Sequence, residues 1–194
     1  QLRVFAIGTS DEKFIASNAC KYYLVHKKDS KLFILSHMLR WQYPNGTTQP
    51  NNPTPKSIIP FVFTLKVLLK LSEKLIEEAY LSKDEILSVL TQANTMDEVE
   101  SVAKIILKNR TNDTTYLLKE TDFPSDAWSS ANRLFASFKG TGLITVSDSS
   151  TNPKKLILEP HLIMEAKNIL AAHNPKVLNF NTKEEWDNYH GVNK

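Results

Sequence analysis

The sequence predicts an α+β fold, mainly α with short β-hairpins. Apolar residues recur at steps of three, four and seven along much of the chain, the pattern of helices that bury one side. The β-type runs are short and stand in pairs around turn formers: Leu2 to Ile7 with Lys13 to Ala16, and Leu143 to Ser147 with Lys155 to Leu158. Gly140-Thr-Gly142 leads one helical stretch straight into the second of these pairs.

Composition narrows the class without naming it. A chain of 194 residues with 41% hydrophobic side chains makes one large domain or two small ones with real cores. Twenty-four Lys and Arg against 21 Asp and Glu leave a net charge of +3, so any surface for an acidic partner is a local patch. The single cysteine, Cys20, excludes an internal disulfide and fits a reducing compartment, hence an expectation of cytoplasm. The greasiest segment, Ile58 to Leu71, is broken by Thr64, Lys66 and Lys70 and falls short of a membrane span, and no signal peptide is visible, so no membrane partner is expected. The chain opens on Gln1 and already reads as a strand there, which suits a piece of something longer.

Taken in order, the two leading runs flank Gly8-Thr-Ser-Asp11 as a hairpin, and Ser17 caps a helix to about His26. Ser30 to Gln42 spaces Leu32, Leu35, Met38 and Leu39 for a helix that Pro44 closes. Residues 45–57 hold three of the nine prolines and no large apolar side chain, and read as an extended connector. Ile58 to Leu71 is apolar nearly all round, as a central helix should be. Ser82 with Glu85 forms a capping box that opens a helix from Lys83 to Gln92. Asp97 to Lys108 is amphipathic and, through Lys104, Lys108 and Arg110, basic at its end. His161 to Ala172 and Thr182 to Tyr189 supply two further helices, the second again opened by a Thr with Glu three residues on. The expected organisation is a partial first subdomain over 1–44, a connector over 45–57, and a second subdomain with C-terminal helices over 58–194.

The stretch from Ser125 to Pro160 organises the rest. On a helix, Trp128, Ala131, Leu134, Phe135 and Phe138 share one side, while Asp126, Ser129, Arg133, Ala136 and Ser137 share the other, a row of small residues around one long cation. Helix, tight Gly turn and a hairpin tipped by Lys154 and Lys155 is the closing order of a winged helix, the variant whose last helix enters the DNA major groove while the hairpin lies on the backbone. Both subdomains are therefore expected to be winged-helix-like. Arg133 is the leading base reader, since Arg to guanine O6 and N7 is the commonest specific contact. Ser129, Asn132 and Ser137 are candidates for bases or phosphates, and Lys139, Lys154 and Lys155 for phosphates. Arg40 and Gln42, beside Trp41 and Tyr43, are further DNA candidates, whereas the two aromatics read as core.

Leu39-Arg-Trp-Gln-Tyr-Pro44 resembles the KWQYP-type motif in the N-terminal half of type IIS restriction and nicking endonucleases of the AlwI kind. Further blocks follow in the same order: the hydrophobic helix from Ile58, the Leu-Ser-Lys opening at Leu81, the basic-ended helix from Met96 to Arg110, Phe-x-x-Thr-Gly-Leu at Phe138 to Leu143, and the Thr-x-Glu-Glu tail from Thr182. The resemblance implies sequence-specific recognition of double-stranded DNA at an asymmetric site, with a separate or C-terminal nuclease domain that uses Mg²⁺. The family's long linker before the recognition helix is short here, Thr111 to Pro124, so contacts made from it do not carry over.

No catalytic centre is expected within the chain, and no cofactor of its own. A metal-dependent nuclease needs an Asp followed by Glu-x-Lys on neighbouring strands. Glu165-Ala-Lys167 has the spacing but lies in a helical block with no acidic partner on a preceding strand, and reads as structural. HExxH, a thiolate zinc set, GxGxxG, Gly-Lys-Ser/Thr and GxSxG are all missing from the sequence. The leading function is thus DNA recognition for a restriction endonuclease. The alternatives are a winged-helix transcription regulator or replication initiator, and a winged-helix protein-docking module in which Arg133 and the wing lysines meet an acidic partner.

Overall fold

The computed structural model describes residues 6–8, 14–16, 21, 25, 30–43, 56–74, 79–111, 125–147, 154–180 and 182–189, and it is mostly helical with small antiparallel sheets. Helix α1 spans Ser30–Met38 and α2 Pro60–Ser72; β3 (Ala79–Ser82) runs into α3 (Lys83–Ser88), and α4 covers Val99–Thr111. Next come α5 (Ser125–Lys139), β4 (Thr145–Val146), β5 (Lys155–Leu158), α6 (Ile163–His173) and α7 (Lys183–Tyr189). At the start of the chain β1 (Ala6–Gly8) pairs antiparallel with β2 (Phe14–Ala16), Ile7 opposite Ile15, as the first hairpin predicted. Of the helix expected over 17–26, only Lys21 and Val25 fall within the described residues, both helical and exposed. The interior of the connector, 45–55, and the loop from Asp148 to Pro153 lie outside them.

Helix α2 is the centre of the core. Pro60 sits in its first turn, where a missing N–H costs nothing and the fixed φ suits the helix. Phe61, Val62, Phe63, Leu65, Val67, Leu68 and Leu71 are each fully buried, contributing about 1.5–3 kcal/mol apiece. Thr64 is buried among them and satisfies its hydroxyl on the Pro60 carbonyl at 2.8 Å. Around α2 pack α1, α4, α6 and the sheet.

That sheet has the order β3–β5–β4, all antiparallel, with Leu81 opposite Leu156 and Thr145 opposite Ile157. Leu81, Leu156 and Leu158 turn to the core and are fully buried. Strand β3 departs from the sequence reading, which carried no strand there. Its four residues end on Ser82, and Ser82 is also the N-cap of α3: its hydroxyl accepts from the Glu85 N–H while the Glu85 carboxylate accepts from the Ser82 N–H. The cap dominates the local pattern and hides the strand. The helix it opens is shorter than expected, giving way to a 3₁₀ turn over Leu90–Gln92.

The proposed boundary at 45–57 does not separate two cores. Leu35, Met38 and Leu39 join the cluster built on α2, and Tyr43 and Ile58 exchange backbone hydrogen bonds of 2.7 and 2.8 Å across the connector. Residues 30–43, expected in the first subdomain, therefore pack with the part that begins at 58. The cause is hydrophobic: α1 has too few residues to bury its own apolar side and covers α2 and α5 instead.

Candidate nucleic-acid interface

Helix α5 buries Phe135 and Phe138, the latter edge-on to Phe61 with ring centroids 5.3 Å apart. Its opposite side shows Asn132, Arg133, Ala136 and Lys139 to solvent. The steps between them are one, three and three, so they share one broad side of the helix, within roughly 120° of its circumference. Ser137 is partly buried and its Oγ donates to the Arg133 carbonyl at 3.0 Å, so its proton is already used inside the helix. The side chain of Ser129 lies outside the described residues.

The turn after α5 is tightly specified. Gly142 adopts φ +76°, the left-handed region that favours glycine, and a Cβ there would stand 3.0 Å from Cδ of Lys31. Thr141 is buried and donates to the Phe138 carbonyl at 2.6 Å. The chain thus leaves the helix at a fixed angle and enters the β4–β5 hairpin. At the far side of that hairpin Lys154 is exposed and Lys155 half-buried. Tyr80 lies opposite Ile157 in the ladder, so Lys155, two residues away on the same face, brings its Nζ to 4.0 Å from the Tyr80 ring centroid.

The guanidinium of Arg110 is 4.0 Å from the centroid of that same ring. It is bidentate to Glu85, Nε to Oε1 at 2.7 Å and Nη2 to Oε2 at 2.8 Å, and Nη2 also donates to the Tyr80 carbonyl. The sequence reading placed Arg110 in a basic helix end. The structure turns its charge inward onto a buried carboxylate, which leaves Lys104 and Lys108 as the exposed cations of α4. Lys83 was missed altogether: it is 4% exposed, and its Nζ donates to Asn132 Oδ1 at 3.0 Å.

Gln42 corrects an expectation. It is 1% exposed, and its carboxamide is engaged by the backbone of Leu178 on both sides, so it is a core clamp and cannot reach DNA. Its neighbour Arg40 is exposed, its guanidinium 5.7 Å from the centroid of the Tyr189 ring. Trp41 and Tyr43 pack edge to face at 5.3 Å, half-buried. Glu165 and Lys167 are both exposed on α6, and the described residues contain no group of three or more His, Cys, Asp or Glu able to hold a metal. None of the described helices is long and apolar enough to cross a membrane.

The family model described as restriction endonuclease BpuJI, N terminal, matches residues 2–185. The chain belongs to this family. Membership of the BpuJI N-terminal family agrees with the restriction-endonuclease resemblance read from the motifs, at the coarser level of the enzyme class. Nine chains of solved structures match. One, from the crystal structure of pyrene- and phenanthrene-modified DNA in complex with the BpuJ1 endonuclease binding domain, aligns at a TM-score of 0.66 and 18% identity. The alignment covers 98% of this chain and 70% of that one, and it shows a shared fold. The curated proteins include no match to the chain.

Proposed function

We propose that this chain recognises a specific sequence in double-stranded DNA as the recognition part of a type II restriction endonuclease. The observation that carries the reading is the exposed set Asn132, Arg133, Ala136 and Lys139 on α5, followed at a fixed turn by a hairpin bearing Lys154 and Lys155. A helix with small and basic outward residues fits the major groove, and a basic hairpin beside it fits the phosphate backbone, the winged-helix mode of docking. In this mode Arg133 reads a base edge, and Lys139 and Lys154 hold phosphates. Family membership supports the assignment to a restriction enzyme over a transcription regulator, a replication initiator or a docking module. The resemblance of Leu39 to Pro44 and the blocks after it to AlwI-type enzymes extends the proposal. Cleavage in that case falls outside the recognised site and belongs to a separate nuclease domain that uses Mg²⁺.

The test is selection from a randomised duplex library with wild type and Arg133→Ala. The wild type is expected to enrich one short asymmetric sequence, and the variant to lose discrimination at one position of it by roughly 5- to 100-fold. Equal weakening on every sequence, with the preferred site unchanged, would move the reader away from α5. Failure of the wild type to prefer any duplex would remove the reading entirely.

A further inference from the structure

We propose that Lys83 is a positioning residue that sets the direction of the Asn132 carboxamide, so that Asn132 reads hydrogen-bond acceptors on a base edge, guanine first. The inference rests on α5 being the reader.

Lys83 is the first residue of α3 and is buried. Its backbone is held, since its N–H donates to the Lys154 carbonyl at 2.9 Å directly after the capping box of Ser82 and Glu85. At 4% exposure its stem is packed, and its ammonium meets Asn132 Oδ1 at 3.0 Å. An ammonium only donates, so the oxygen end of the carboxamide must face it. Nδ2, the donating end, is therefore the end of this exposed side chain left for a partner outside the protein.

This orientation selects a partner. An unconstrained Asn pairs with adenine through both ends, accepting from N6–H₂ and donating to N7. Here the accepting end is turned back into the protein, and only donors are offered to the groove. Guanine, with N7 and O6 both acceptors, satisfies them best; thymine offers O4 alone, adenine sets an opposing N6–H₂ beside its N7 acceptor, and cytosine N4–H₂ sets donor against donor. A buried cation thus acts on sequence preference without touching DNA.

The experiment is the same library selection on the full chain with Asn132→Ala, Asn132→Asp and Lys83→Met, each also followed by thermal unfolding. Asn132→Ala should lose roughly 5- to 100-fold preference for guanine at one position. Lys83→Met, which keeps length and removes the donor, should admit adenine at that same position and leave the others unchanged. Asn132→Asp lies on the surface and offers only acceptors while keeping its partner, so it tests the idea even if Lys83→Met does not fold; it should shift that position toward cytosine. An Asn132→Asp protein that still selects guanine there overturns the proposal, as does a folded Lys83→Met protein with the wild-type profile. If Asn132→Ala changes nothing while Arg133→Ala relaxes one position, only this proposal fails. If neither variant changes any preference, the failure is that of α5 as the reader.

Discussion

Gln42 and Leu178 are joined by two hydrogen bonds, the Gln42 carboxamide donating to the Leu178 carbonyl and accepting from the Leu178 N–H at 2.9 Å. The side chain imitates a strand partner for an irregular segment 136 residues further on, and so ties the turn after α1 to the chain between α6 and α7. Gln42→Ala leaves two backbone groups without that partner, at a cost of about 1–2 kcal/mol. Because the residue is buried, the variant should show a lowered unfolding midpoint with an unchanged DNA preference. A change in base preference with an unchanged midpoint would restore Gln42 as a DNA contact.

The Glu85–Arg110 pair predicts a non-additive pattern. Glu85 is 4% exposed at its side chain and Arg110 17%, so the cation retains some water while the carboxylate has almost none. Arg110→Met strands a buried carboxylate and should destabilise by roughly 3 kcal/mol. Adding Glu85→Gln removes the stranded charge yet keeps an acceptor for the Ser82 N–H. Urea unfolding should find the double variant more stable than Arg110→Met alone, and simple additivity would argue that the pair is not a coupled unit.

How much of this was legible in the sequence follows from how local each signal is. The all-round apolar pattern that becomes helix α2 from Pro60, the Ser82–Glu85 box, and the buried Phe135 and Phe138 with the glycine turn after them are encoded within a few residues and stand close to where they were read, whereas Ser137, read as outward, is partly buried. Strand β3 was hidden because four residues ending in a helix cap carry too little alternation to register. Arg110 finding Glu85, Lys83 finding Asn132 and Gln42 finding Leu178 are meetings across 25, 49 and 136 residues. Nothing in the spacing announces such contacts. Gln42 and Arg110, which the sequence offered as outward polar residues, are drawn inward by the fold, whereas Arg133 stays exposed.

His37 predicts a pH dependence of stability. Burial, with repulsion from Arg40 added, lowers its imidazole from the ordinary 6.5 to about 4. The unfolded chain therefore binds a proton between pH 6.5 and 4 that the folded chain refuses. The stabilisation is complete above pH 6.5, falls as the pH drops through that window, and levels off below about 4, a loss of up to about 3 kcal/mol. Carboxylates titrate in both wild type and variant, so the useful quantity is their difference. Denaturant midpoints measured from pH 7 to 4.5 should decline more steeply for wild type than for His37→Gln; parallel declines would show that His37 is not held neutral.

Lys154 and Lys155 are neighbours in sequence with different surroundings, and that difference separates their effects on DNA. Lys154 is exposed, and among the described residues its one engaged group is the carbonyl, which accepts from the Lys83 N–H, so its ammonium is available to a phosphate. Lys155 is half-buried, with its Nζ 4.0 Å from the Tyr80 ring centroid, an arrangement worth about 0.5–2 kcal/mol to the hairpin. Lys154→Ala should weaken all duplexes alike and flatten the plot of log affinity against log salt by about 0.9, one phosphate contact, with stability unchanged. Lys155→Ala should flatten it by a similar amount and lower the unfolding midpoint too, because the β5 ladder loses its cap on Tyr80. Tyr80→Leu supplies the control: it removes the ring and keeps both lysines, so it should destabilise while leaving the salt slope near that of wild type. A Lys154→Ala protein that loses preference at a single base position, with its salt slope intact, would show the hairpin to be a reader and not an anchor.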